Sequence, residues 1–430
     1  MHPAYPVRAH SAGQTRADSA RQKDSMTFEE MGLAPRLVEH LKTKGFKTPT
    51  PIQAKAIPHA LKGRDVLGLA QTGTGKTASF GLPLLHVISG SGAAPQPKTA
   101  TSLILAPTRE LAKQIAEALV TFSHVSHLKV ALVVGGVSIN RQINTMKRGA
   151  DILIATPGRL IDLIDRNAVR LDRTAFLVLD EADQMLDMGF IHALRRIAPL
   201  LPAKRQTMMF SATMPKLMSD LAAQYLSDPV RVEVARPGVA ADNIFQEVHF
   251  VGQAAKTDLL IELLSKHRGE RALVFGRTKH GSERLMKKLV SVGFDAASIH
   301  GNKSQGQRDR AIKAFSSGEI TILVATDVAA RGIDIPDVRY VYNYDLPNVA
   351  ENYVHRIGRT ARAGASGRAV AFCAPDETGA LRDIEKVLKT RIGVASGERQ
   401  AAPSRSSQKP KAPNKSRRRR RRGKPGRIAA

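Results

Sequence analysis

The sequence predicts an α/β protein: two tandem parallel-sheet lobes followed by a disordered basic C-terminal tail. Three observations predict it. Short, largely apolar runs alternate with helix-like stretches. The runs fall into two sets of similar size, as two similar lobes would require. Beyond them the chain loses periodicity and becomes rich in Ser, Pro, Lys and Arg.

The first set is Val66–Ala70, Ser102–Ala106, Ile152–Ala155, Phe176–Leu179 and Thr207–Phe210. The second is Ala272–Phe275, Ala296–Ile299, Ile320–Ala325, Val338–Asn343 and Arg368–Cys373. Such runs are what strands covered on both faces look like. Helical patterns such as Arg109–Thr121 and Gly281–Val292 lie between them. Residues 1–25 are polar, without apolar periodicity, and are expected to form a disordered N-terminal extension. Met26 stands immediately before the first patterned segment and is an expected alternative start. The first lobe is expected over residues 26–230 and the second over 244–392. A linker is expected over 231–243, inside the stretch Ser227–Asn243 that holds Pro229, Pro237 and Gly238. Residues 393–430 complete the chain as the expected Arg/Lys-rich tail.

Composition narrows the function. With 430 residues and 42% hydrophobic content the chain has ample material for a core. No run approaches the roughly 18 unbroken apolar residues of a membrane span, and no signal-peptide pattern opens the chain. One cysteine, Cys373, excludes an internal disulfide framework and a thiolate metal cluster. A reducing cytoplasm is the expected compartment. The net charge is +28, which favours a polyanionic partner, nucleic acid before membrane surface. Residues 395–430 carry 13 Lys/Arg and one acid, including six consecutive arginines, Arg417–Arg422. That segment holds +12, so the body holds the other +16 and is itself basic.

The chemistry starts where Val66–Ala70 runs into Gln71, Thr72, Gly73, Thr74, Gly75, Lys76 and Thr77. Glycines let successive backbone N–H groups face a phosphate, and a helix N-terminus adds partial positive charge. Lys76 is then placed for the β- and γ-phosphates, and the Thr77 hydroxyl for Mg²⁺. Ala70 stands where the general phosphate-loop pattern has glycine. The partner acids sit at the end of Phe176–Leu179, in Asp180-Glu181-Ala182-Asp183. Asp180 is the expected metal-side carboxylate. Glu181 is the expected base for the water that attacks the γ-phosphate. On this chemistry alone the chain is a nucleoside triphosphatase coupled to RNA or DNA.

With these motifs in place, the chain resembles the DEAD-box RNA helicases, most closely the bacterial RhlE-like members. The resemblance covers roughly residues 26–392 and implies RecA-like lobes. It implies that Phe28, Lys47 and Gln53, around Gly45–Gln53, recognise adenine, Phe28 by stacking and Gln53 by its two-ended amide. Ala70–Thr77 and, in the second lobe, Asp334 on the ribose complete the implied ATP site. The first-lobe RNA contacts implied are Pro107, Thr108 and Arg109, then Gly135 and Gly136, then Thr156, Pro157, Gly158 and Arg159. Those of the second lobe are Arg277, Gln305, Arg308 and Thr326. Ser211 and Thr213 are implied to couple hydrolysis to strand separation, with His355 as an interlobe contact. Arg359 and Arg362 match the family's arginine fingers, which neutralise charge on the transferred phosphate. Ala361 replaces the usual glycine between them.

The resemblance implies an RNA-dependent ATPase that unwinds short duplexes locally and remodels RNA–protein complexes as ATP closes the lobes. Its implied cofactors are ATP and Mg²⁺. RNA would be held through phosphate and sugar, with little sequence preference and with the tail as an auxiliary binder. Ribosomal precursors and RNA-decay proteins are compatible further partners, and no membrane partner is expected. A non-unwinding RNA clamp would use the same residues, and a DNA translocase is the third reading.

Overall fold

The structure, a computed structural model, describes residues 26–70, 73–91, 94–123, 128–234, 243–330, 337–361 and 366–399. The expected disorder of residues 1–25 and 400–430 lies outside that range.

The first lobe is a seven-stranded sheet of β1 (Val66–Leu69), β2 (Ala100–Leu105), β3 (Val130–Val133), β4 (Ala150–Ala155), β5 (Phe176–Leu179), β6 (Gln206–Ser211) and β7 (Val230–Glu233). Its helices are α1 (Pro35–Thr43), α2 (Pro51–Leu61), α3 (Lys76–Ser91), α4 (Arg109–Phe122), α5 (Ile139–Met146), α6 (Pro157–Asp165), α7 (Ala182–Asp187), α8 (Ile191–Ile197) and α9 (Lys216–Tyr225). The second lobe is built on β8 (Ile244–Phe250), β9 (Ala272–Phe275), β10 (Ala296–Ile299), β11 (Ile322–Ala325), β12 (Tyr340–Asn343), β13 (Gly367–Cys373) and β14 (Gly393–Ser396). Its helices are α10 (Lys256–Ser265), α11 (Lys279–Ser291), α12 (Gln305–Ser317), α13 (Asp327–Ala330), α14 (Ala350–Ile357) and α15 (Thr378–Leu388).

Strand order is β3-β4-β2-β5-β6-β1-β7 in one sheet and β10-β11-β9-β12-β13-β8-β14 in the other. Counted from each lobe's own first strand, the two orders are the same. The lobes are therefore two copies of one topology, with parallel pairing throughout. Parallel strands need helical crossovers, and the helices cover both faces. Side chains alternate accordingly. Val66, Ile104, Val178 and Met208 join one buried cluster, whereas Leu67, Leu103, Leu177 and Met209 join the other. Gly68 of β1 has no room for a side chain, since a Cβ there would lie 2.5 Å from the Phe210 ring.

Two boundaries differ from expectation. Strand β7 pairs with β1 from Val66 to Leu69, so the first sheet continues to Glu233, into the expected linker. The rest of that linker, 235–242, lies outside the described residues. At the other end, β14 pairs with β8, so the second lobe includes residues expected to belong to the tail. Arg399 closes it, bonding both Glu385 carboxylate oxygens at 2.8 and 2.9 Å and lying over the Phe250 ring. Ser396 bonds His249 at 2.7 Å. These contacts are made to residues far back in the sequence, which is why composition alone placed 393–399 with the tail.

A testable consequence concerns that edge. Burial alone raises the Glu385 carboxyl, but Arg399 and the Ile392 N–H hold it below its ordinary value. A chain ending at 392 is expected to be about 2 kcal/mol less stable than one ending at 399, by denaturant titration at neutral pH. The difference should shrink as pH falls through the depressed Glu385 value, because protonation removes the ion pair. Equal midpoints for the two chains would contradict it.

Candidate nucleotide cleft and nucleic-acid interface

In a parallel sheet all strand C-termini share one edge. The order β5-β6-β1 puts three sequence-distant segments side by side there: the acidic run after β5, Ser211 ending β6 and the phosphate loop after β1. Ala70 N–H donates to Ser211 O at 3.0 Å, which ties the last two together.

Within the loop, Gly73 and Gly75 adopt φ of 84° and 89°, where a side chain would be strained. Lys76 opens α3, and its Nζ lies 4.0 Å from Asp180 Oδ1. Both side chains are buried, at 6% and 3% exposure. Asp180 Oδ1 also accepts the Glu181 N–H at 3.0 Å. Glu181 sits in the left-handed region, φ 51° and ψ 51°, and is buried. A non-glycine residue there carries roughly 1–2 kcal/mol of strain, so the chain turns sharply at the expected base. Asp183 then collects three donors on Oδ2: Ala212 N (3.0 Å), Thr213 N (2.9 Å) and Thr213 Oγ1 (3.1 Å). Ser211 Oγ donates to Thr213 O at 2.7 Å. The acidic run and the Ser211–Thr213 turn thus form one hydrogen-bonded unit. Asp183, not singled out from sequence, is its hub.

Several residues implied to bind ligand make internal contacts instead. Phe28 is 3% exposed and packs in the first-lobe core, which leaves little of its ring for stacking on a base. Gln53 uses both amide ends: Oε1 accepts Thr50 N at 3.0 Å and Nε2 donates to Gly75 O at 3.1 Å. It is the third residue of a helix capping box and a strut to the phosphate loop. Lys47 is exposed. Thr108 caps α4, accepting Leu111 N at 3.2 Å. Gln71, Thr72, Asp334 and Arg362 lie outside the described residues.

The first-lobe motifs implied to meet RNA converge on one patch. The Arg109 guanidinium lies against Gly135 and Gly136, and any Cβ on Gly136 would run into it. Arg159, on α6 behind Thr156, Pro157 and Gly158, donates to Val137 O at 2.9 Å and to Gln142 at 3.2 Å. The second lobe reaches the same patch. Arg109 donates to Gln305 Oε1 at 3.1 Å, Gln305 Nε2 to Glu110 at 3.1 Å, and Arg308 pairs with Glu110 at 3.0 Å. Glu110, which lies in the Pro107–Leu111 motif but was given no role of its own from sequence, is a buried carboxylate that joins the lobes. A cleft of about 690 Å³ opens beside this bridge, lined by Lys113, Gln114, Arg310 and Lys313 among others.

Thr326 follows β11, its carbonyl accepting Ala329 N and Ala330 N. Arg277 is exposed in part, but its guanidinium docks on the buried Glu377 and on Leu346 O. Arg359 is buried, its Nε donating to the carbonyl of His355 at 3.2 Å. Arg356 beside it is a fully buried brace, bonded to Asp327, Asn343 and Asp345 O. Ala361 takes φ 56°, a conformation suited to the family's glycine.

Burial drives the Asp180 pKa up from 3.8 to about 6; Lys76 opposes the rise and Glu181 adds to it. The folded protein therefore holds this proton more tightly than the unfolded chain. Ionising Asp180 removes stability as pH rises from 3.8 to about 6. The melting temperature of the nucleotide-free parent, taken relative to Asp180→Asn, should fall across that window and level off above it. A flat difference would exclude a raised Asp180.

Comparison with known proteins agrees with this geometry. A family model described as DEAD/DEAH box helicase matches residues 50–221, and one described as helicase conserved C-terminal domain matches 255–364. The ATP-dependent RNA helicase CshA of Listeria monocytogenes is 44% identical over 368 residues, 85% of this chain and 69% of that protein. The DEAD-box ATP-dependent RNA helicase CshA of Bacillus cereus is 43% identical over 366 residues, with the same coverage. Among solved structures, S. cerevisiae Dbp5 bound to RNA and ADP BeF3 superposes with a TM-score of 0.77 at 33% identity, covering 86% of this chain and 95% of that one. Mss116p bound to ssRNA and AMP-PNP gives 0.79 at 29% identity, covering 88% and 80%. A strand-end cleft with the phosphate loop, the acidic run and the Ser211–Thr213 turn in one hydrogen-bonded unit, duplicated topology and these matches over both lobes have one account: the chain belongs to the DEAD-box family of ATP-dependent RNA helicases.

Proposed function

We propose that ATP and RNA bind across the two lobes and that each completes the other's site. The bridge of Arg109 and Glu110 to Gln305 and Arg308 carries this reading, because the same cluster joins the lobes and presents cations to a phosphate backbone. The high superposition with two RNA-bound helicases over both lobes at once supports it. Closure of this kind couples two ligands through one conformational change.

In the nucleotide cleft, Lys76 faces the β- and γ-phosphates, which line up on the N–H groups of Gly73–Thr77. Thr77 and Asp180 supply a hydroxyl and a buried carboxylate, hard oxygen donors of the kind Mg²⁺ takes, so the residues present fit that ion. Bound there, Mg²⁺ would neutralise phosphate charge. Glu181 takes the proton of the attacking water. Its left-handed backbone turns the chain sharply where β5 gives way to the following helix. Arg359 and Arg362 approach from the second lobe and neutralise charge in the transition state. Asp183, Ser211 and Thr213 pass the change in the cleft to the RNA side. The outcome is local opening of short duplexes and displacement of bound protein. Contacts to phosphate and sugar give low sequence preference. The Arg/Lys-rich tail adds a salt-sensitive tether. No described helix is long and apolar enough to cross a membrane. Cytoplasmic RNA, ribosomal precursors and RNA-decay complexes fit this activity.

The test is steady-state ATPase with and without single-stranded RNA. Glu181→Gln is expected to lose the RNA-stimulated rate by at least about 100-fold while still binding ATP. Activity unchanged by the substitution would place the base elsewhere. Gly136→Ala should raise the RNA concentration for half-maximal stimulation several-fold and leave the RNA-free rate unchanged. It forces a strained φ of 73° and displaces Arg109. An unaltered RNA requirement would remove the Gly135–Gly136 turn from the interface.

A further inference from the structure

Arg277 marks the C-terminal end of β9, on the edge that the proposed RNA path crosses. Its guanidinium is held by Glu377, a carboxylate that also receives Lys256 Nζ at 2.6 Å, Ala374 N at 3.1 Å and Leu346 N at 3.2 Å. Lys256 is fully buried and also donates to Tyr344 O at 2.8 Å. Such a fully bonded buried network is rigid and costly to break. Arg277 is thereby largely neutralised before any ligand arrives.

Beside it opens a cleft of about 530 Å³ between α10 and α11, lined by Arg277, Arg284, Lys288, Thr257, Tyr344 and Asp345. The exposed side of α11 is strongly basic, with Lys279, Arg284, Lys287 and Lys288 all exposed. The helix has one acid, Glu283, and that side chain turns inward to Ser298 (2.5 Å), His300 (3.1 Å) and Lys303 (2.9 Å). Among the described residues, the side chains of Arg284, Lys287 and Lys288 make no hydrogen bond or ion pair. Two further carboxylates face the cleft. Asp345 is engaged by Arg277 N at 2.8 Å and Lys256 at 3.5 Å, whereas Asp258 on α10 is exposed. Leu285 and Leu289 anchor α11 in the sheet core, so the exposed cations beside them are fixed in direction. Arg284 and Lys288 are one helical turn apart, about 6 Å.

We propose that the α10–α11 cleft and the adjoining exposed face of α11 form a second phosphate-binding surface for RNA, taking the strand after it leaves the interlobe path, with Arg284 and Lys288 in the cleft and Lys287 beside it as its phosphate contacts and Arg277 as a fixed wall. This rests on the proposed RNA path across the strand ends. The surface adds affinity for RNA long enough to reach past that path. It takes no part in hydrolysis.

The experiment compares the full chain with Arg284→Gln/Lys287→Gln/Lys288→Gln. RNA-stimulated ATPase is titrated with single strands of about 8 and about 25 nucleotides, the first too short and the second long enough to reach past the interlobe path. The expected result is an unchanged half-maximal concentration for the short strand and a rise of about tenfold for the long one. The slope of log affinity against log salt on the long strand should fall by roughly 2, at roughly 0.7 per lost single-strand contact. A control variant, Lys62→Gln/Arg195→Gln/Lys204→Gln on the first lobe, removes the same charge and should show no such length dependence. Equal effects of the two variants, or equal effects on both strands, would overturn the proposal. If the short strand fails to stimulate the parent at all, the interlobe RNA path itself is wrong. The melting temperature of each variant, expected within about 2 °C of the parent, separates loss of contact from loss of fold.

Discussion

Parallel pairing of β5, β6 and β1 is the constraint on which the rest of the molecule depends. It leaves the C-terminal ends of three strands adjacent on one edge. Segments about 30 to 140 residues apart in sequence then meet. Lys76 lies by Asp180, Ala70 is tied to Ser211, and Asp183 gathers the Ser211–Thr213 turn. Asp183 is where a change at the nucleotide reaches the chain that leads away from it. A carboxylate oxygen with three donors tolerates little displacement. Movement of the acidic run therefore carries the turn with it.

Charge follows the same edge into the second lobe, but with a different use. Glu110 is the negative partner that draws Arg308 and Gln305 across the gap. Phosphates would compete for the same cations, so RNA and Glu110 act on one set of groups. Inside the second lobe, Arg277, implied to meet RNA, docks on the buried Glu377, and the buried Arg356 pairs with the half-buried Asp327. Removing a partner from such a pair is costly, whereas the pair contributes little beyond a fixed geometry. Exposed cations on α11 and along the interlobe cleft are available for a polyanion.

Two of the non-glycine residues with left-handed backbone fall where the chemistry is placed. Glu181 and Ala361 both hold left-handed backbone without being glycine. Each sits at a sharp turn, one after β5 and one in the arginine-rich segment that follows α14. The surrounding packing holds them there, as expected of positions whose geometry matters more than their local stability.

Much of this was open to sequence reading. The buried central strands announce themselves because both faces are covered and their residues are nearly all apolar. Phe176–Leu179 and Ala272–Phe275 have the bounds that pattern implies, and Ala296–Ile299 matches too although it is a half-buried edge strand. Strands β3, β7, β8 and β14 escaped. Val130–Val133 and Val230–Glu233 are short and half-exposed edges, Ile244–Phe250 mixes polar with apolar residues without a regular period, and Gly393–Ser396 is exposed throughout. The chemical motifs were legible because backbone curvature, a lysine and two acids must occur at fixed local spacing. What only the tertiary structure decided was who each polar side chain meets. Gln53 bonds the phosphate loop 22 residues away, Arg277 docks on an acid 100 residues on, and Arg399 returns that of Glu385. Local spacing records the chemistry a residue can do; long-range packing sets which of its partners is within 3 Å.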